Sequence, residues 1–224
     1  MKDTAMNNAS EILPGSTRVD ILKVMESNSG LIGIELGVAE GYFAKTLLDT
    51  GVFKQLWGVD MYADWHDVEQ YKRALVNCDL NSNYKLVRMT FDQALDMFPD
   101  NYFDFIYVDG YASSGEMGGA TIHQWFKKLK VGGLMAGDDY HSDWPLVVKS
   151  VDDFVEQTGF KMYLTEQVSD AVYSQYPTWG VIKRSEVRTS ENQDLVKEGS
   201  RAQKRQEMRY LVKMLLIRLG LWRN

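Results

Sequence analysis

An α/β domain built on a doubly wound, mostly parallel seven-stranded sheet, with helices on both faces, is the fold class this sequence predicts. Two observations carry the prediction. Short apolar runs alternate with amphipathic stretches along residues 30–184, the order in which each strand is followed by a crossover helix. The first run, Leu31–Leu36, leads directly into a glycine turn and a helix, and the second ends on Asp60. That is the layout of the first crossover in a nucleotide-binding sheet. A chain of 224 residues that is 45% hydrophobic and 12% aromatic buries one sizeable core and leaves no room for a second catalytic domain.

Residues 1–29 read as an N-terminal cap: a polar loop over 1–14 that closes at Pro14-Gly15, then a helix from about Ser16 or Thr17 carrying Val19, Ile21, Leu22 and Met25. This helix is expected beside the ligand cleft. The spacing then predicts strand 31–36, helix 41–49, strand 55–60, helix 67–77, strand 84–89, helix 91–98 and strand 103–109. A helix over 116–129, the turn Lys130-Val131-Gly132-Gly133, strand 133–137, helix 144–157 and strands 160–165 and 178–183 complete the domain, 30–184. Residues 185–200, rich in Ser, Glu, Asn, Gln and Asp, read as a linker. Over 201–224, Met208, Leu211, Val212, Leu215, Leu219 and Trp222 share one face of a basic amphipathic helix.

The glycine turn selects the ligand class. Glu35-Leu36-Gly37-Val38-Ala39-Glu40-Gly41 lacks the G-x-G pair that brings backbone amides close to a pyrophosphate. A nucleoside with an amino-acid tail fits better, because room beside Gly37 takes the tail and the open helix N-terminus at 40–41 favours its carboxylate. Asp60 follows Gly37 by 23 residues, near the roughly 20 expected for an acid that accepts from ribose hydroxyls. S-adenosylmethionine is a molecule of this kind. The other reading of the same residues is a strand-to-helix turn with Asp60 as a helix cap.

Three carboxylates fall on strand ends: Asp109 after one strand, Asp138 and Asp139 after the next. Adjacent strand ends lie about 5 Å apart, so the charges repel unless a cation offsets them. No Lys or Arg occurs between 131 and 148, which makes a hard, oxygen-ligated ion such as Mg²⁺ the expected partner of Asp109, Asp138 and Asp139. Turn or capping roles for the same acids stay open. His141 follows the pair and is the candidate base, with Asp109 and Asp139 as the other catalytic candidates. His123 reads as a packing or surface residue, and His66 as either a ligand contact or an exposed side chain. Tyr62, Trp65, Tyr111, Tyr140 and Trp144 are expected as aromatic walls.

The formal charge of −6 hides an asymmetry: Arg201, Lys204, Arg205, Arg209, Lys213, Arg218 and Arg223 against Glu207 alone give residues 201–224 a net +6, leaving −12 for 1–200. An acidic body with one short basic stretch argues against a nucleic-acid substrate. The basic helix is expected to dock on its own domain, to contact another subunit in a homo-oligomer, or to lie on an anionic membrane surface. One cysteine, Cys78, makes no internal disulfide, no 18-residue apolar run spans a membrane, and the N-terminus lacks the apolar core of a secretion signal. A cytoplasmic setting is the expectation.

At this point the chain resembles the class I S-adenosylmethionine-dependent methyltransferases over about residues 30–184. The motifs that carry the resemblance are Ile34-Glu35-Leu36-Gly37-Val38-Ala39-Glu40-Gly41, Gly58-Val59-Asp60, Phe103 to Gly110, and Leu129-Lys130-Val131-Gly132-Gly133 running into Gly137-Asp138-Asp139-Tyr140. The last two are similar to those of the metal-dependent group that includes macrocin O-methyltransferase. The resemblance implies a Rossmann-like methyltransferase fold and a cofactor site of Glu35, Gly37, Gly41, Tyr42, Asp60, Met61, Met89, Thr90 and Asp109. It implies Mg²⁺ on Asp109, Asp138 and Asp139, and a sugar or other vicinal-diol hydroxyl as acceptor. One departure stands out: many relatives carry Asp-Gly-Asp-His where this chain has Asp109-Gly110-Tyr111-Ala112, so a second acid and a histidine are missing. Two rival readings are a nicotinamide-dependent oxidoreductase and a catalytically silent cofactor-binding or assembly protein.

Overall fold

In chain order the computed structural model has strands β1 (Ser10–Leu13), β2 (Leu31–Leu36), β3 (Phe53–Asp60), β4 (Tyr84–Arg88), β5 (Phe103–Val108), β6 (Leu129–Gly137), β7 (Met162–Thr165) and β8 (Trp179–Ile182). Its helices are α1 (Tyr42–Asp49), α2 (Val68–Asn77), α3 (Phe91–Leu95), α4 (Ala120–Phe126), α5 (Pro145–Thr158) and α6 (Gln193–Arg218), with a 3-10 helix over Arg18–Val24 and a shorter one over Ala112–Ser114. The structure describes residues 10–27, 29–63, 66–167, 175–219 and 221. Trp65, Trp222, Arg223 and the first nine residues of the sequence analysis lie outside them.

The strands form one sheet in the order β1-β7-β8-β6-β5-β2-β3-β4. All neighbours are parallel except at β8, which runs antiparallel to both β6 and β7. The sheet reverses its winding between β2 and β5, where Gly33 to Leu36 pair with Phe105 to Val108. A crevice opens at such a switch point, outside the carboxyl ends of the strands.

Alternation along the strands divides the core. Ile106 and Val108 join Ile34, Leu36, Val59, Trp125, Phe154 and Trp179 on one face. Phe105 and Tyr107 join Ile21, Phe43, Leu47, Phe53 and Leu56 on the other, as the two-residue period of a strand requires. A sheet buried on both faces explains why β2 and β5 read as nearly continuous apolar runs.

The structure departs from the sequence analysis at five places. The sheet has an eighth strand, β1, inside the expected N-terminal loop; it pairs with β7 from Ser10↔Met162 to Leu13↔Thr165. The N-terminal helix is a 3-10 helix. The expected turn at 130–133 lies inside β6 as a bulge, because the register jumps from Phe103↔Leu129 to Phe105↔Leu134 and Gly132 takes φ +87°. The expected helix over 116–129 does not start until Ala120. Residues 115–119 instead form a left-handed turn, with φ of 59° at Gly115, 53° at Glu116, 57° at Met117, 67° at Gly118 and 85° at Gly119. Two side-chain-bearing residues in that region cost about 1–2 kcal/mol each, so packing must hold the turn.

The fifth departure supplies that packing. Residues expected as a linker are helical from Gln193, where the Asn192 side chain accepts from the backbone N–H groups of Asp194 and Leu195. The start of α6 presses on the left-handed turn: a Cβ on Gly118 would lie 2.0 Å from the Leu195 carbonyl oxygen, and one on Gly199 2.5 Å from the Gly118 nitrogen. Farther out, Met208, Leu211, Val212, Leu215 and Leu219 are exposed, so that part of α6 does not dock on its own domain. Among the described residues no helix is long and apolar enough to cross a membrane.

Candidate active site

The glycine turn brings β2 and β5 into direct backbone contact. Gly37 has φ +96°, its N–H donates to the Val59 carbonyl at 2.9 Å, and the Asp109 N–H donates to the Leu36 carbonyl at 2.8 Å. A Cβ on Gly37 would sit 1.8 Å from the Asp109 carbonyl oxygen, so no side chain fits. Gly41 is different from the expectation: it precedes α1 with φ +78° and packs on Ala74 of α2, 3.0 Å from where its Cβ would be. Its role is to seat one helix on another, and it does not line the cavities.

Two cavities flank Gly37. One, about 280 Å³, is lined by Asp60, Met61, Met89, Thr90, Tyr111 and Glu116 among others. The other, about 390 Å³, is lined by Arg18, Glu35, Tyr42, Phe43 and Gln70 among others. Gly37, His66, Asp109 and Gly110 belong to both. Of the expected cofactor contacts, Glu35, Gly37, Tyr42, Asp60, Met61, Met89, Thr90 and Asp109 are thus brought to one place. Gln203 and Glu207 of α6 complete the wall of the first cavity.

Asp60 does more than border this space. Its Oδ2 accepts from the N–H groups of Val38 at 3.0 Å and Ala39 at 2.9 Å, and its Oδ1 from Tyr62 N–H at 3.2 Å. The acid therefore fixes the glycine turn while keeping acceptor capacity for a ligand. Burial works against its charge, but His66, 3.7 Å away, and the N–H donors outweigh that and hold its pKa below the usual carboxylate range. Glu35 shows the opposite balance. It is buried, its Oε2 has no hydrogen-bond partner, and burial, aided by Asp109 and Asp60 against Arg18, pushes its pKa well up. A buried, unpartnered carboxyl oxygen on a cavity wall calls for a donor or cation from a ligand. The ammonium of an amino-acid tail has that chemistry, and the donor set fits S-adenosylmethionine.

The acid cluster has a counter-charge that the sequence did not disclose. Thr17 and Asp20 cap the 3-10 helix, with the Thr17 N–H donating to Asp20 Oδ2 at 2.7 Å, and this start places Arg18 in the site. Its guanidinium pairs with Asp109 and lies 3.5 Å from Asp138. Nε donates to the Tyr107 hydroxyl at 2.7 Å. The cation sits over the rings of Phe43 and Tyr107, 4.1 and 4.8 Å from their centroids. Tyr107 and Thr178 hydroxyls lie 3.0 Å apart, and Thr178 donates to Asp138 Oδ1 at 3.3 Å, closing the network. Burial opposes the Arg18 charge, yet Asp109, Tyr107 and Asp138 outweigh it and raise its pKa.

This corrects the metal assignment. Asp109 and Asp138 turn oxygens to Arg18, and among the described residues no group of three or more His, Cys, Asp or Glu side chains is arranged to hold a metal ion. The acids do not fit an octahedral oxygen cage as they stand. Asp138 and Asp139 also lie outside the linings of both cavities. Burial, then Asp138 and Asp109, push Asp139 up to about 7. His141 is likewise away from the cavities: its Nδ1 accepts from Asp143 N–H at 3.2 Å and its ring lies 4.9 Å from that of Tyr176.

Other expected residues divide. His66 lines both cavities and Tyr111 the first, its hydroxyl donating to Met61 sulfur at 3.4 Å. Tyr62 is buried and donates to the Ala39 carbonyl, while Tyr140 donates to Asp152, 2.7 Å in each case. Trp144 packs near Tyr176. His123 is buried 3.5 Å from Asp153, and Cys78 is buried with its thiol pushed up to about 12, first by burial, which leaves it unreactive. Sequence reasoning missed Arg18 and Glu116. Three glycines among residues 115–119 were the available signal for Glu116, since such density argues against a helix.

Comparisons with known proteins agree with this geometry. Residues 32–140 match the family model of a methyltransferase domain. Among solved structures, the fold is similar to a precorrin-6y C5,15-methyltransferase from Geobacter metallireducens (TM-score 0.55, 17% identity, 74% of this chain and 87% of that one). It is also similar to an rRNA methylase from Streptococcus thermophilus (0.52, 16%, 74% and 92%) and to a precorrin 8w decarboxylase from Methanobacterium thermoautotrophicum (0.52, 19%, 75% and 91%). No protein of curated function matches the chain in sequence. The matched domain and the Rossmann-like fold together support a class I S-adenosylmethionine-dependent methyltransferase.

Proposed function

We propose that the chain transfers the methyl group of S-adenosylmethionine to a hydroxyl of a small molecule, a sugar or another vicinal diol. The observation that carries this reading is the chemistry of the cavity beside Asp109. Asp60, Asp92, Asp109, Glu116 and Glu207 line it, and His66 is the one side chain among the described lining residues that can carry a positive charge. A polyphosphate backbone is repelled by such a wall, whereas an uncharged polyol finds acceptors for its hydroxyls. Gln203 and Glu207 form the α6 side of the same wall.

In this reading Glu35 takes the cofactor ammonium, Asp60 the ribose hydroxyls, and Met61, Met89 and Thr90 surround the adenine at one side of the first cavity, with Gly37, Tyr42 and Asp109 beside the tail; the Tyr111, Glu116, Gln203 and Glu207 side of the first cavity is then left for the acceptor. When bound, the cofactor supplies a methyl group already activated on a sulfonium. What remains for the chain is to align the acceptor oxygen with that methyl and to take the hydroxyl proton. Arg18, not Mg²⁺, offsets Asp109 and Asp138, so no step runs through a metal. Assayed against a panel of sugars, catechols and aliphatic diols, the protein is expected to O-methylate at least one, at the same rate with excess chelator. Transfer to none of them, or transfer only on addition of Mg²⁺, contradicts the respective part of the proposal.

A further inference from the structure

We propose that Glu116 is the general base of the transfer, the carboxylate that receives the proton of the acceptor hydroxyl. This rests on the hydroxyl reading above. The placement of Glu116 is built, and the build is unusual. It stands in the left-handed turn 115–119 with φ 53° and ψ 54°, a conformation its side chain disfavours, and three elements hold it there. A Cβ on Gly115 would lie 2.5 Å from the Leu146 carbonyl oxygen of α5, and Gly118 and Gly199 meet at the start of α6. Ser114 accepts from Met117 N–H at 3.3 Å. Strain retained in this way at a cavity wall is a mark of a functional position.

The turn delivers one carboxyl group to the strand switch point. Glu116 is 9% exposed, its Oε1 accepts from Gly110 N–H at 3.1 Å, and its Oε2 lies 2.3 Å from where a Gly110 Cβ would stand. Glycine at 110 is what lets the carboxyl come this close. Gly110 follows Asp109 and borders both cavities, and Glu116, bonded to it, lines the first, so the carboxyl stands at the Gly110 edge where the two cavities adjoin. It stands in the loop that follows Asp109-Gly110-Tyr111-Ala112 at the end of β5. The competing bases are engaged elsewhere: Asp109 pairs with Arg18, His66 stands 3.7 Å from Asp60 on the ribose side, and His141 lies outside the cavities.

The chemistry balances with this residue alone. The acceptor oxygen bonds to the methyl carbon as the carbon–sulfur bond breaks, the electron pair of that bond stays on sulfur, and the hydroxyl proton moves to the Glu116 carboxylate. Burial first, then Asp109 and Asp139, push the Glu116 pKa up to about 8, against the N–H groups of Tyr111 and Gly110. The other charged or titratable neighbours across the cavity are Asp60, His66, Asp92 and Glu207. A sulfonium beside the group favours its ionised form, so the base is charged before transfer and protonated once sulfur is neutral.

Calorimetric titration in buffers of different ionisation enthalpy, near pH 7, tests this without an acceptor. S-adenosylmethionine is expected to release a fraction of a proton on binding, and S-adenosylhomocysteine much less. Glu116→Gln keeps an acceptor for Gly110 N–H and is expected to bind S-adenosylhomocysteine within about threefold of wild type, with the extra proton release gone and kcat lowered by about 10²–10⁴. Equal proton counts in wild type and E116Q, retained turnover, or lost cofactor binding overturn the assignment. A Glu116-dependent proton count without transfer to any hydroxyl keeps Glu116 at the reaction centre and overturns the hydroxyl reading instead.

Discussion

Gly37→Ala is expected to eliminate cofactor binding and to lower thermal stability sharply. Two costs add at this position. A residue with a side chain at φ +96° loses about 1–2 kcal/mol in the left-handed region, and a Cβ 1.8 Å from the Asp109 carbonyl oxygen forces β2 and β5 apart at a further cost of about 1–3 kcal/mol. The movement breaks the Asp109 N–H to Leu36 bond, on which the position of Asp109 and Gly110 depends. Gly51→Ala separates the two terms, because Gly51 has φ +70° and nothing within 4 Å of its would-be Cβ. That variant is expected to lose only the conformational part and to bind S-adenosylhomocysteine normally. Melting curves and calorimetric titration of both proteins check this; a G37A protein that binds like wild type refutes the close-approach argument.

Arg18→Met is the second large effect. Methionine fills much of the space between Phe43 and Tyr107 but leaves Asp109 and Asp138 without their cation. Removing one partner from a buried ion pair costs about 3–5 kcal/mol. The pH dependence has a definite sign. Burial already raises the Asp138 pKa with Arg18 holding it down, and loss of the cation raises it further. A carboxyl whose folded pKa lies above its unfolded value has its full stability below the unfolded pKa and loses it as pH rises through the folded one. The deficit of R18M relative to wild type is therefore expected to be small near about pH 4 and largest near about pH 8. Denaturant melts across that range measure it. A constant deficit would mean that packing on Phe43, not charge, is what Arg18 supplies. Stabilisation of wild type by Mg²⁺ would mean that an ion competes with Arg18 for the acids.

Much of the fold was legible because it follows from short-range patterns. The strands β2 and β5 are apolar runs that lead directly into Gly37 and Asp109, β3 is one that ends on Asp60, and the order of runs and amphipathic stretches sets the parallel sheet. β1 was not legible: four residues, Ser10–Leu13, mostly exposed, become a strand only by pairing with β7 about 150 residues away. The bulge in β6 was legible as glycines but not as part of a strand, since a break in register depends on the neighbour. Arg18 had no local signature either. The argument for a metal rested on the lack of basic residues near Asp138 in sequence, and the 3-10 helix brings the cation from 91 positions before Asp109. Glu116 was hidden by treating a glycine-rich stretch as the first turn of a helix.

The most direct test of the central claim, that the Gly37 bend and its two cavities receive a sulfonium nucleoside, is calorimetric titration of the folded protein with S-adenosylhomocysteine. Saturable one-to-one binding, weakened by Asp60→Asn and by Glu35→Gln, is expected. Absence of any binding heat or melting shift from protein that unfolds cooperatively contradicts the claim.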